Sequence, residues 1–260
     1  MKKLMFAAAA IAAGVAVADV TSANVVGYNQ PAVNAGHALR TVSFVTIGDA
    51  DKFDVADIVP MSATHEGEAL DAKISLLQID EHGASLDGVF TWANWGDPDV
   101  GWQYEDDFIV KGEHLFQSGT AFWTQIPDTS ITDMTLQCSG AVSPKDVTFD
   151  IPEGICVGGN PFPVNVDLTT VFPISETKEG EELDASVSLL KINAQGASED
   201  NIYTWANWGD PDVGWQYQDD FIAEGDHFMT PGQSFWISVT QNRGFTDLKL
   251  YMPCPYTLNK

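Results

Sequence analysis

Positive charge is scarce in this chain. Twelve Lys and Arg stand against 37 Asp and Glu in 260 residues, a formal net charge of −25. A field of that sign repels phosphate backbones and anionic lipid headgroups, so nucleic acid and acidic membrane surfaces are not expected partners. Cysteine is scarce as well. Cys138, Cys156 and Cys254 allow at most one intramolecular disulfide, which rules out a disulfide framework. No Cys-x-x-Cys or Cys/His spacing marks a zinc site. Cys156 and Cys254, near the start and end of the second half, are the pair expected to bond. Long apolar runs are missing beyond the first residues, so no membrane span is expected in the mature protein. Also missing are a Gly-x-Ser-x-Gly elbow, a His-Glu-x-x-His helix and a phosphate loop, which removes the commonest hydrolase and nucleotide-binding signatures.

What is present begins with a targeting pattern. Lys2 and Lys3 precede an Ala-rich apolar run from Leu4 to Val15, and Ala16-Val17-Ala18 offers a small-x-small cleavage site before Asp19. Residues 1–18 are therefore expected to be a signal peptide, with export to the periplasm, the cell surface or the extracellular space. Losing Lys2 and Lys3 leaves the mature chain two charges more negative.

Internal similarity is the strongest signal. Thr91–Ile109 reads TWANWGDPDVGWQYEDDFI and Thr204–Ile222 reads TWANWGDPDVGWQYQDDFI, an offset of 113 positions, with Glu105 against Gln218 the one difference. Glu66–Ala72 matches Glu179–Ala185 at the same offset, and Gly119–Trp123 matches Gly232–Trp236. Two modules from an internal duplication follow, residues 24–140 and 141–260, each near the usual size of a domain. Two unequal copies of this length make tandem domains rather than a solenoid.

Strand signals dominate both copies. Leu39–Ile47, Lys73–Ile79, Val89–Trp95, Gly101–Tyr104 and Thr120–Ile126 carry β-branched and aromatic residues between Gly, Pro and Asp punctuation. Strand alternation puts Val89, Thr91, Ala93 and Trp95 on one face and Phe90, Trp92 and Asn94 on the other. Asp54–Val59 suits one short helical turn ended by Pro60. No longer amphipathic helix survives, so the expected fold is all-β, two tandem antiparallel β-sandwich-like domains.

The repeated loop supplies the candidate site. Trp95, Trp102, Gln103 and Tyr104, with Trp208, Trp215, Gln216 and Tyr217, combine flat aromatic faces with planar hydrogen-bonding groups. That mixture suits sugar recognition, in which rings cover C–H surfaces and amides bind hydroxyls. The competing explanation is cross-strand aromatic packing in the core. Asp97 and Asp99, with Asp210 and Asp212, are spaced to converge on Ca²⁺, although the motif lacks a distal ligand and the four can equally serve as turn residues. Catalytic residues are not assigned. His114 and His227 adjoin Glu113 and Asp226, but neighbours on a strand point to opposite faces. Asp106-Asp107 and Asp219-Asp220 are adjacent rather than separated as glycosidase carboxylates are.

The opening Asn24-Val25-Val26-Gly27-Tyr28 and the late Pro231-Gly232-Gln233-Ser234-Phe235-Trp236 resemble secreted β-rich proteins of Verrucomicrobia- and Lentisphaerae-type bacteria. The first copy departs from the second motif, with Ser118 in place of proline. The resemblance implies export and a β-rich module and carries over no catalytic residues. The expected function is an exported, non-enzymatic binding or structural protein, with extracellular polysaccharide or envelope components as partners. Its rivals are an envelope or matrix protein whose aromatic hairpins are core, and a secreted glycoside hydrolase.

Overall fold

Every strand ladder among the described residues of the computed structural model is antiparallel, and none of their sheets closes into a barrel. The structure describes residues 26–29, 40–43, 52–79, 85–117, 119–128, 130–141, 145–192, 198–231 and 233–256. The signal peptide expected over residues 1–18 lies outside them, as do Asn24 and Val25 of the opening motif, Gly232 of the late one and the side chain of Cys138. The described residues contain no α-helix, only 3₁₀ turns at Val55–Asp57, Gly67–Leu70, Leu168–Thr170 and Gly180–Leu183. None of their helices is long and apolar enough to cross a membrane.

The ladders form two sets. One six-stranded sheet runs in the order Arg40–Ser43, Ala121–Gln125, Ser75–Ile79, Ser85–Asn94, Val100–Tyr104, Asp107–Phe108. The other runs Gly154–Gly159, Ser234–Val239, Val187–Ile192, Ser198–Asn207, Val213–Tyr217, Asp220–Phe221. Each has a three-stranded companion: Val26–Asn29, Thr135–Ala141 and Ile58–Met61 in the first, Val147–Asp150, Lys249–Met252 and Phe172–Ile174 in the second. Short two-stranded ladders join Lys52–Asp54 to Leu115–Gln117 and Val166–Asp167 to Phe228–Met229.

Alternation decides what each strand buries. Leu76, Phe90, Trp92, Trp102 and Phe122 of the first six-stranded sheet share a core with Ile58 and Leu136 of its companion. Leu189, Trp205, Trp215, Phe235 and Ile237 share another with Phe149, Leu250 and Met252. An aromatic side chain buries roughly 150–250 Å², so these rings make up much of each core.

The one-turn helix expected over Asp54–Val59 is a 3₁₀ turn ending at Asp57, and Pro60 does not stop it. Pro60 instead sits inside strand Ile58–Met61, paired with Leu136. That strand is at the edge of its sheet, where a residue without an N–H is tolerated, and Pro173 occupies the corresponding edge strand. Capping carboxylates explain further repeated residues. Asp54 Oδ1 accepts from Ala56 N at 3.0 Å, and Asp71 Oδ1 accepts from Asn94 N at 3.0 Å. Asp184 accepts from Asn207 N at the same distance, so the repeated Leu-Asp-Ala fixes the strand that leads into the tryptophan loop.

The expected Cys156–Cys254 disulfide does not form, and both cysteines are free. Cys156 lies on a strand of the six-stranded sheet, whereas Cys254 follows a strand of the three-stranded one. The Cys254 thiol bonds the Tyr256 carbonyl at 3.1 Å. Burial pushes the Cys156 thiol up to about 12, which keeps it protonated and unreactive.

Candidate functional site

The repeated segment builds the same three-strand ribbon twice. Thr91 pairs with Gln103, Trp92 with Trp102 and Asn94 with Val100, and the chain turns again so that Gln103 meets Phe108. In the second copy Thr204 pairs with Gln216, Trp205 with Trp215, and Gln216 with Phe221. The second turn of each ribbon has two residues, both with positive φ: Glu105 and Asp106 at 51° and 68°, Gln218 and Asp219 at 52° and 68°. This is the backbone of a two-residue hairpin turn, reached without the Asn-Gly or Asp-Gly pair that usually announces it.

Register settles the fate of each tryptophan. Because Trp92 and Trp102 stand opposite each other, both rings project to one face, and that face is the core. Trp102 is 1 % exposed, as is Trp215. Each indole nitrogen donates to a carbonyl at the start of the facing edge strand, Trp102 Nε1 to Ile58 O at 2.7 Å and Trp215 Nε1 to Val171 O, just before Phe172–Ile174, at 2.6 Å. Trp102 and Trp215 are therefore not ligand platforms, contrary to the sequence expectation. Tyr104 and Tyr217 are half-buried and pack against the two cores, with ring centroids 5.1 Å from Phe90 and 5.2 Å from Tyr203. Their rings belong to the core wall rather than to the outward strip, although Tyr217 also borders a groove on the second sheet.

Trp95 and Trp208 lie beyond the last rung of their strands and are 58 % and 57 % exposed. Neither is loose. Trp95 meets Phe108 edge-on at 5.5 Å, and Trp208 meets Phe221 at 5.6 Å. Trp95 N donates to Asp99 O at 2.9 Å, and Trp208 N to Asp212 O at 2.9 Å, closing each loop. Gln103 and Gln216 are half-buried on the same outward face, beside Thr91 and Thr204. The threonine hydroxyls lie 3.2 Å from Ser75 Oγ and 3.4 Å from Ser188 Oγ. Each sheet thus presents a strip of hydroxyl, amide, Phe and exposed Trp on the side away from its core.

Phe108 and Phe221 were not singled out from the sequence. Their signal is visible only once the turn is known to have two residues, since that register places them directly across from Gln103 and Gln216. A Cβ built at Gly101 or Gly214 would only touch the Phe108 or Phe221 ring, at 3.6 and 3.7 Å, so it is the positive φ of 155° and 151° that suits glycine at these positions.

Asp97, Asp99, Asp210 and Asp212 are exposed on the loops. Among the described residues no three acidic, His or Cys side chains gather into a cation site. His114 and His227 lie against the tyrosines, 4.9 Å from Tyr104 and 5.1 Å from Tyr217 between ring centroids, with Tyr203 Oη 3.0 Å from His227 Nδ1.

Comparison with protein-family models found no match, and comparisons with curated proteins and with solved structures found none.

Proposed function

We propose that the chain is an exported, non-enzymatic glycan-binding protein of two tandem β-sandwich-like modules derived from an internal duplication. The reading agrees with the secreted bacterial group that the Asn24–Tyr28 and Pro231–Trp236 segments resemble. Recurrence of one strand order in both six-stranded sheets, each sharing a core with a three-stranded companion, supports the two-module arrangement. One observation carries the binding proposal: at the same position twice, a tryptophan more than half exposed is braced edge-on by a phenylalanine. Each Trp–Phe pair is a contiguous exposed apolar surface rimmed by polar side chains, the arrangement that marks interaction sites. A fixed indole face beside amides and hydroxyls suits the C–H faces and hydroxyl rims of sugar rings.

The proposal assigns no role to calcium: main-chain bonds from Trp95 to Asp99 and from Trp208 to Asp212 close the two loops. The alternative of a purely structural envelope protein draws its support from the burial of Trp102 and Trp215, which makes half of the repeated motif architecture.

Retention on insoluble cellulose, xylan, chitin and β-glucan separates the two. The wild-type chain should be retained on at least one. Trp95→Ala with Trp208→Ala should abolish that retention while leaving the melting temperature nearly unchanged, because both rings are exposed. Retention that survives the double substitution, or no retention of the wild type on any of the four, overturns the proposal.

A further inference from the structure

The two outward strips differ in charge at one place, and in the second copy that place borders a groove. A groove of about 290 Å³ on the second sheet is lined by Ile202, Thr204, Gln216, Tyr217, Gln218 and Asp219. Its size falls just below the roughly 300–1,000 Å³ usual for small-molecule sites, as suits a surface cleft that takes part of a polymer. Thr204 and Gln216 are opposite each other on the outward face, Gln216 pairs with Phe221, and Phe221 braces Trp208. The groove therefore continues into the exposed tryptophan without a break in the strip. Gln218 stands at its rim in the two-residue turn, and its Nε2 donates to Tyr217 Oη at 3.3 Å. Glu105 holds the same place in the first copy, with φ of 51° against 52°. There the Tyr104 ring lies against Gly88, where a built Cβ would come within 2.5 Å of the phenol oxygen.

We infer that this groove is a subsite for uncharged polysaccharide and that Gln218 is its specificity-determining residue. The inference deepens the glycan-binding reading and rests on it. None of the six lining side chains is cationic, so a uronate or sulfated sugar would meet Asp219 with no compensating charge. A neutral sugar finds instead the Ile202 surface, the Thr204 hydroxyl and two amides that each donate and accept. A carboxylate at 218 could only accept, and a sugar covering it would displace its hydration. The first copy carries that handicap at Glu105, so the second strip is the stronger binder of neutral polymer.

Affinity electrophoresis of the full chain in soluble neutral polysaccharide, xylan and mixed-linkage β-glucan, tests this. Gln218 is exposed in a surface turn and Glu is tolerated at the matched position, so Gln218→Glu should fold normally. It should weaken retardation about five-fold, the equivalent of one hydrogen bond. Trp208→Ala should weaken retardation more than Trp95→Ala, and Glu105→Gln should not weaken it. Equal losses from the two tryptophan variants with no effect of Gln218→Glu overturn this inference and leave the glycan-binding reading standing. Absence of wild-type retardation in every polymer removes both.

Discussion

Trp92 and Trp102 face each other across one ladder rung, 5.4 Å apart and edge to face, yet only one is tied by a hydrogen bond. Trp102 donates to Ile58 O, while the buried Trp92 indole nitrogen has no hydrogen-bond partner among the described residues. The second copy repeats the asymmetry, with Trp215 bonded to Val171 O and Trp205 unbonded. Replacement by phenylalanine should therefore separate the pair. Trp102→Phe removes a buried bond and strands a carbonyl, at about 1–3 kcal/mol on top of the lost packing. Trp92→Phe removes an N–H that already lacks a partner, so its cost is packing alone and should be smaller. Urea denaturation of the two variants measures the difference, and equal losses would show that the Ile58 bond contributes nothing. The same pair shows why residue types alone misjudged the site. Four repeated aromatics look equivalent in the sequence, but a paired rung sends two of them inward and the loop carries Trp95 out.

At the scale of elements, a carboxylate between two strands holds each three-stranded sheet to the loop that follows it. Asp133 accepts from Ser62 Oγ at 2.7 Å, Ala63 N at 2.7 Å and Thr64 N at 3.0 Å. Asp247 accepts from Ser175 Oγ at 2.7 Å, Glu176 N at 2.7 Å and Thr177 N at 3.0 Å. The Ser62 hydroxyl first, and then the Thr64 hydroxyl and the Ala63 amide, hold the Asp133 carboxyl below its ordinary range against the opposing effect of desolvation. Ser175 leads the same effect on Asp247. A carboxyl lowered in the folded state stabilises it above the unfolded value of about 3.9 and loses that contribution as pH falls through the folded value. Asp133→Asn with Asp247→Asn should accordingly lower the melting temperature most between pH 5 and pH 7. The gap from wild type should close as pH drops below about 4. A gap that stays constant down to pH 2 would assign the effect to geometry rather than charge. These clamps join residues about 70 positions apart in sequence, so neither was legible beforehand. The strands themselves were: expected Thr120–Ile126 is Ala121–Gln125, and Val89–Trp95 is the outer part of Ser85–Asn94. Alternation and turn residues carry that local information. The two-residue turn at Glu105-Asp106 escaped because Glu105 is a poor former of positive φ and no Asn-Gly or Asp-Gly pair marks the turn; the ladder on either side holds it.

For the whole molecule, the two halves meet through corresponding residues. Trp123 and Trp236, 113 positions apart, touch edge to face at 5.2 Å. A residue against its own counterpart is the mark of a twofold contact, here within one chain. Gly159 N donates to Gly119 O at 2.8 Å, and Gln117 Nε2 donates to Thr148 O at 2.8 Å, so backbone and side chain both cross the joint. Phe149 fills it. A Cβ on Gly119 would lie 2.7 Å from the Phe149 ring, and one on Gly158 would lie 2.6 Å from it and 2.8 Å from Ile237. Both obstacles are buried core atoms, so neither can swing aside as a surface side chain would. Gly158→Val should then overpack the second core by about 1–3 kcal/mol and push Phe149 off Gly119. Loss of that contact uncouples the halves. Wild-type chain should unfold in one calorimetric transition, and Gly158→Val should split it, the second half melting several degrees lower while the first changes little. Trp236→Ala removes the neighbouring contact without overpacking either core and should split the transition less. If Gly158→Val instead leaves a single transition at the wild-type temperature, the joint is not what couples the halves, and the two outward strips are not held in a fixed relation by it.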